Sequence, residues 1–433
     1  MDRDTVALLG FAGMFLLMAL RVPIGVAMGL VGVGGFAAVS GVWPGLNLLA
    51  NVPLSVLTDY NLSIIPMFIL MGAFATHAGM SRELYAAGNA WLGHRTGGLA
   101  LATIAACGGF AAINGSSVAT AATMSQVALP EMRRSGYDPG LAAGVIAAGG
   151  TLGIMIPPSV IFVLYSFMTE TDVKKLFFAG VVPGLLGMAC YVLVVRYLGW
   201  RRPEIMPRGP VHDWRERLGS LRGLWAVIAL FLFVLGGLYL GWFTVNEAAG
   251  CGAVGTLAIG VVRGRLGPPQ IKAALIETLR VSSAIMMIVI GAFLFGYFLT
   301  ITQFTQHAVA FLTGLPIGAY GVLAVVMLGY FVLGAVMDEL AMILLTVPIV
   351  FPVMVHLGFD PVWFGVIIVM AVTFGLVCPP VGMNVFVINS IARDIPLGKI
   401  YRGTFPFIAA DIARLVLLCA FPGLSLWLPG LID

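Results

Sequence analysis

The chain has 433 residues, of which 60% are hydrophobic and 10% charged, with a mean hydropathy of +1.03. That leaves too little polar surface to cover a water-soluble globule, so the chain reads as a polytopic helical membrane protein. The formal net charge of +4 does not point to nucleic acid, because the Lys and Arg residues fall in loops and helix ends, where membrane orientation accounts for them.

Apolar runs of about twenty residues mark membrane spans. They are predicted at 5–20, 22–42 and 62–79, with Gly25 and Gly29 forming a small-residue packing face and 43–61 a mixed segment suited to the interface. The first 20 residues place acids beside an arginine and show no small-residue cleavage pattern, so they are expected to remain as a span. Residues 81–96 form an amphipathic surface helix. Residues 97–130 predict a re-entrant hairpin, two short apolar arms joined at Asn114-Gly115-Ser116-Ser117. An interrupted helix follows at 140–168, then a span at 177–198. The polar stretch 199–222 predicts a basic loop between two halves. The second half reads as scaffold spans and a surface helix over 223–315, with spans at 223–240, 246–262 and 282–300 and a basic amphipathic link at 263–280. A second hairpin at 316–352, a second interrupted helix at 361–391, a span at 404–421 and a tail at 422–433 complete the chain. The five cysteines stand singly in apolar segments and read as packing residues, and the histidines lack metal-binding spacing.

The two interrupted helices organise this pattern. Each carries adjacent prolines in mid-run, Pro157-Pro158 and Pro379-Pro380, and each proline lacks an N–H and clashes with the preceding turn. Freed backbone groups persist at membrane depth only where they are buried in protein or line a polar cavity. The pairs are related by a constant shift of 222 (379−157), and residues 130–172 match 352–394 at 12 of 43 positions, against roughly three or four from shared composition. An internal duplication accounts for this. An odd number of crossings separates the hairpins, which predicts inverted repeats. Arg82, Arg95, Arg133 and Arg134 place the base of the first hairpin inside, and the absence of Lys and Arg around the second turns it outward; Lys174 and Lys175 are the exception.

Paired interrupted segments in corresponding halves point to the site of a secondary transporter. Half-helix N-termini suit an anion, and unwound carbonyls suit a hard cation. The expected substrate group is Asp338, Ser117, Asn114, Pro157 and Asn384. The expected cation group is Ser116, Gly150, Thr151, Gly153, Met337, Thr373 and Gly375. Ser and Thr in membrane helices often only bond the backbone, whereas an acid deep in an apolar hairpin is by default functional. Glu339 is expected to point elsewhere, Glu247 to cap or anchor its span, and Asp411 and Arg414, three apart, to form a structural pair.

The Asn-Gly-Ser-Ser tip, GGTLGIMIPPS, GAVMDELAMILLTVPIVFP and GLVCPPVGMNVFVINSIA together resemble the large membrane subunit of tripartite ATP-independent periplasmic (TRAP) transporters, over essentially the whole chain. The resemblance implies a sodium-driven importer of organic acids in the bacterial inner membrane, with sodium as coupling ion and no other cofactor. It further implies a periplasmic binding protein, a separate small four-span membrane subunit, and an elevator motion of a transport domain against a scaffold. Both termini are then expected in the periplasm. A binding-protein-independent sodium/carboxylate symporter is the alternative. An intramembrane hydrolase using Ser116 or Ser117 lacks a matching base, and a passive channel suits paired hairpins less well than alternating access.

Overall fold

Helices carry nearly all of the backbone between residues 3–334 and 337–432, which the computed structural model describes; Ala335 and Val336, in the second hairpin tip, lie outside the described residues. The first repeat opens with α1 (Arg3–Ala19), α2 (Ile24–Ser40), α3 (Val42–Leu57) and α4 (Ile64–His77). Segment 43–61, read as interfacial, carries α3, which bends by 59° into α4. The Asp59 side chain accepts the Asn61 N–H at 2.8 Å and so turns the chain there. The amphipathic α5 (Met80–Leu92) buries Leu84 and Tyr85. On its polar side Glu83 holds both terminal nitrogens of Arg263, at 2.7 and 2.9 Å.

Then come the hairpin arms α6 (Gly98–Asn114) and α7 (Ser117–Arg134), the broken helix α8 (Pro139–Met155) and α9 (Val160–Thr169), and the long α10 (Val173–Arg201). The second repeat has α11 (Trp214–Tyr239), α12 (Val245–Val262), α13 (Pro268–Ile301), α14 (Phe304–Thr313), the hairpin arms α15 (Gly318–Gly334) and α16 (Glu339–His356), the broken helix α17 (Pro361–Val377) and α18 (Met383–Ile391), and α19 (Leu397–Ala420). The short α20 (Gly423–Leu426) follows. The 222-residue shift holds to the residue in these bounds: α8 and α17 begin and end 222 apart (361−139, 377−155), and so do α7 and α16 (339−117, 356−134). Asp138 and Asp360, equivalent under the shift, each accept backbone N–H groups at the start of their helices.

Several boundaries differ from the sequence reading. The second arm of each hairpin runs about one turn past Pro130 or Pro352, because a single proline removes one hydrogen bond without forcing a stop. α11 starts at Trp214, inside the stretch read as loop, where Asp213 and Glu216 form a capping box. The link at 263–280 and the span at 282–300 are one helix of 34 residues; there is no Gly or Pro between Pro269 and Gly291 to break it. At roughly 50 Å it exceeds a hydrocarbon core of about 30 Å, so part of it projects. α19 starts at Leu397 rather than 404. Glu247 caps α12 through a box with Thr244.

Six described helices are long and apolar enough to cross a membrane, and two bent pairs raise that number to eight. α8 and α17 form the centre, with every residue from 140 to 155 and from 362 to 377 buried. The start of α8 lies against the start of α19, where a Cβ on Gly140 would stand 2.6 Å from the Lys399 carbonyl. The start of α17 lies against the end of α9, where the Tyr165 hydroxyl donates to the Pro361 carbonyl at 2.7 Å. Each broken helix begins beside the end of the other, so the repeats are inverted. The residues 202–213 that join them are pinned beneath the first hairpin: Gly97 N–H donates to Met206 O, Asp138 N–H to Ile205 O, and Gly209 N–H to Gly93 O.

Candidate functional site

Both prolyl-prolyl pairs interrupt their helices as the backbone chemistry requires, and both peptide bonds within the pairs are cis. α8 stops at Met155 and α9 restarts at Val160 at an angle of 42°. The tip of the first hairpin seats in this break. Gly115 turns with φ +64°, and a Cβ there would lie 2.6 Å from the Pro158 carbonyl; one on Gly153 would lie 2.5 Å from the Ser116 carbonyl. Only glycine admits so close an approach of two backbones. Ser116 caps α7 by accepting the Ala119 N–H, and its carbonyl accepts the Thr120 hydroxyl at 2.7 Å.

The tip also reaches the opposite repeat. Asn384, in the first turn of α18, donates from Nδ2 to Ser117 Oγ at 2.8 Å and to the Ala147 carbonyl of α8 at 3.0 Å. A Cβ on Gly150 would meet this same Asn384 nitrogen at 3.0 Å. Ser117 and Asn384, expected in the substrate group, and Gly150, expected in the cation group, are therefore in one cluster with Gly153 and Ser116. Pro157 is buried beside it. Asn114 is 7% exposed and lies between the tip and α4: its Nδ2 donates to the Ser116 carbonyl at 3.5 Å and to Thr120 Oγ1 at 3.3 Å, and its Oδ1 is 2.4 Å from where a Cβ on Gly72 of α4 would stand. Thr151 faces away from the tip: its hydroxyl donates to the Ala148 carbonyl at 2.7 Å and lies 2.9 Å from Tyr191 Oη.

In the second repeat Gly334 and Gly375 press the hairpin on α17, a Cβ on either standing 2.7 Å from the other's Cα. Thr346 bonds Tyr330 and ties the two arms. Met337 is buried, and Thr373 donates to the Met370 carbonyl at 2.6 Å. Asp338 accepts the N–H groups of Leu340 and Ala341 at 3.0 and 2.9 Å, which makes it the N-cap of α16. Glu339 Oε2 is buried and has no hydrogen-bond partner among the described residues. Pro379 and Pro380 are exposed, unlike their counterparts. The carbonyls of Pro380 and Val381 accept the Tyr401 hydroxyl at 3.0 and 2.7 Å.

These contacts sort the helix ends by chemistry. Side chains cap α7 and α16, the hairpin helices, whereas no side chain caps α9 or α18. A half-helix N-terminus carries partial positive charge that suits an anion; at the buried start of α9 the Val160 N–H donates to the Gly115 carbonyl of the tip at 3.5 Å. Ser159 there is fully buried, and its hydroxyl has no partner among the described residues. No group of three or more His, Cys, Asp or Glu that could hold a metal ion occurs among the described residues. Sequence reasoning missed Ser159, Thr120, Tyr191 and Tyr401: Thr120 bonds within its own hairpin tip, Tyr401 bonds carbonyls 20 and 21 residues away at the second break, and the partners of Tyr191 lie 40 and 220 residues away. A cavity of about 630 Å³ near the other end of α9, lined by Asp59, Asn61, Ser166, Glu170 and Asp172, lies between α4 and α9 rather than at the tips.

The family model for the DctM component of tripartite ATP-independent periplasmic transporters matches residues 11–424. A C4-dicarboxylate TRAP transporter large permease protein from Pseudomonas aeruginosa is 39% identical over 86% of each chain. An isethionate TRAP transporter permease protein, DctMQ, from Oleidesulfovibrio alaskensis is 32% identical over 98% of this chain and 66% of its own. Among solved structures, the YdaH transporter of Alcanivorax borkumensis shares the fold, with a TM-score of 0.59 at 15% identity over 88% of this chain and 89% of that one. The chain is a multi-pass membrane permease and belongs to the DctM component family of tripartite ATP-independent periplasmic transporters.

Proposed function

We propose that this chain is the translocation subunit of a sodium-coupled importer of organic anions in the bacterial inner membrane. A periplasmic binding protein delivers the substrate, and a separate small four-span subunit braces the chain. The observation that carries this reading is the crossed site, in which Ser117 of one repeat's hairpin, Ala147 of its broken helix and Asn384 of the other repeat's broken helix meet in one hydrogen-bonded cluster. The uncapped starts of α9 and α18 offer positive ends to a carboxylate or sulfonate. The carbonyls at the ends of α8 and α17, with Ser116, Gly150, Gly153, Met337, Thr373 and Gly375, supply oxygens or room for sodium. Asp338, a cap on α16, belongs with the cations or the tip's geometry more readily than with an anion. Dicarboxylate and isethionate, named for the two relatives, are both organic acids.

In this mechanism sodium orders the hairpin tips, the anion site between them is completed, and the hairpins with their broken helices move as an elevator against α1–α4 and α11–α13. Ion and substrate binding then favour each other by the same factor. The Lys and Arg bias of the loops favours a periplasmic position for both termini. Uptake of labelled succinate and isethionate into proteoliposomes tests the reading, with the binding protein and small subunit each added or omitted and a sodium gradient imposed or absent. Uptake that needs the gradient and both partners supports it. Uptake by the chain alone supports the simple symporter, and uptake indifferent to sodium overturns the coupling.

A further inference from the structure

Behind the first break lies a polar chain that the transport site does not use. Thr151 of α8 lies 2.9 Å from Tyr191 Oη of α10, Tyr191 donates to Asp411 Oδ2 of α19 at 2.7 Å, and Asp411 Oδ1 pairs with Arg414 at 2.8 Å. All four residues are at most 1% exposed. The Arg414 guanidinium also lies 5.9 Å from the Tyr191 ring centre, and it fits only because position 187 is glycine: a Cβ there would stand 1.6 Å from Nη1. Burying an ion pair is unfavourable unless geometry and further hydrogen bonds compensate, so this one invites a reason beyond packing.

Proton counting supplies the reason. Tyr191 has one hydroxyl proton, which goes to Asp411, so the contact to Thr151 must be made with the proton of Thr151. Thr151 then divides that proton between Tyr191 and the Ala148 carbonyl. The chain thereby ties the last turn of α8 to α10 and α19. That turn ends in the break, with Gly153 against the Ser116 carbonyl of the tip. Among the described residues the second repeat has no equivalent chain. The positions matching Tyr191 and Asp411 are Ala413 and Ala189 (191+222, 411−222), and Thr373 bonds only the Met370 carbonyl among the contacts described for it.

We infer that Tyr191, Asp411 and Arg414 are positioning residues that hold the last turn of α8 in the geometry of a cation site at the first hairpin tip. This rests on the sodium-coupled reading above. The loss of one hydrogen bond from the clamp weakens sodium binding at that tip and leaves substrate recognition at saturating sodium unchanged.

The test uses the chain with its small subunit and binding protein in proteoliposomes. The sodium concentration for half-maximal uptake and the substrate KM at saturating sodium are measured for wild type, Tyr191→Phe, Thr151→Val and Thr151→Ser, with melting temperatures in detergent. Tyr191→Phe and Thr151→Val are expected to raise the sodium requirement about fivefold, the equivalent of one ordinary hydrogen bond, with KM within about twofold of wild type. Thr151→Ser, which keeps the hydroxyl, restores the wild-type requirement. An unchanged sodium requirement in Tyr191→Phe and Thr151→Val, with only the melting temperature lowered, overturns the inference and leaves the chain a structural clamp. Sodium-independent uptake by the wild type sinks the coupled function and this inference together.

Discussion

The two repeats have the same backbone plan and different chemistry. The break after α8 is sealed, with Pro157 and Pro158 buried and the first hairpin tip seated on it, whereas Pro379 and Pro380 of the second break are exposed. Ser117 meets Asn384 across the site. The equivalent pair under the 222-residue shift is Glu339 and Phe162, and Phe162 offers no polar atom. Thr151 belongs to a buried chain of four side chains, and its counterpart Thr373 bonds its own helix. Duplication thus preserved what sets helix position, the caps, prolines and glycines, and left the polar side chains free to diverge. The exposed second break is the more accessible of the two to a ligand arriving from that face.

That contrast can be broken most severely at the packing both repeats share. A Cβ on Gly403 of α19 would lie 2.1 Å from the Gly140 carbonyl, so Gly403→Val is expected to destabilise the fold by about 3 kcal/mol or more, read as loss of monodisperse protein in detergent. Next in size is Asn384→Ala, which strips Ser117 and the Ala147 carbonyl of a buried partner. A loss of about 1–3 kcal/mol is expected in thermal unfolding. Phe162→Ala removes packing but no polar partner, so it should leave uptake less impaired than Asn384→Ala relative to its loss of stability.

A smaller effect of opposite sign is expected from Glu339→Ser, which gives the second tip the residue of the first. It removes a carboxylate oxygen buried without a partner and should raise the melting temperature, because an unpaired buried polar group is unfavourable. A lowered melting temperature would mean that Glu339 is paired in the working protein. Asp338→Ala, which removes the cap of α16, should lower stability by about 1 kcal/mol.

The smallest effect is electrostatic and lies outside the membrane. Burial by itself would raise the Asp138 carboxyl, but the Leu141 N–H and the Lys399 ammonium, 3.1 Å away, together hold it below its usual value of 3.8. A depressed pKa means that stability from this group is present above the unfolded value and lost as pH falls through the lower folded one. Lys399→Met should therefore reduce stability slightly at neutral pH, and the difference from wild type should shrink below about pH 4. A difference that grows toward acid pH would reverse the assignment.

Much of the fold is legible in the sequence because its strongest signals are local. Paired prolines stop a helix wherever they stand, Asp-Pro opens one, and an insertion-free duplication carries each boundary from one half to the other. Boundaries set by weaker signals are misplaced: Pro130 and Pro352 look like stops and are not, and the charged start of α13 reads as an amphipathic link separate from the span although nothing in it breaks a helix. At the site, glycines and tip residues can be found from their position beside the breaks, but the facing of a side chain cannot. Thr151 sits in the right turn and points away from the tip, toward Tyr191. Asn384 and Tyr191 gain their roles only from partners 267 and 220 residues distant, a separation that no local pattern encodes.

The central claim is that one repeat's hairpin and the other repeat's broken helix together build a single transport site. A double-mutant cycle on initial uptake rate with Ser117→Ala, Asn384→Ala and the double variant tests it directly. The account predicts strong coupling, the double variant being little slower than the worse single one. Independent, multiplicative losses would contradict it.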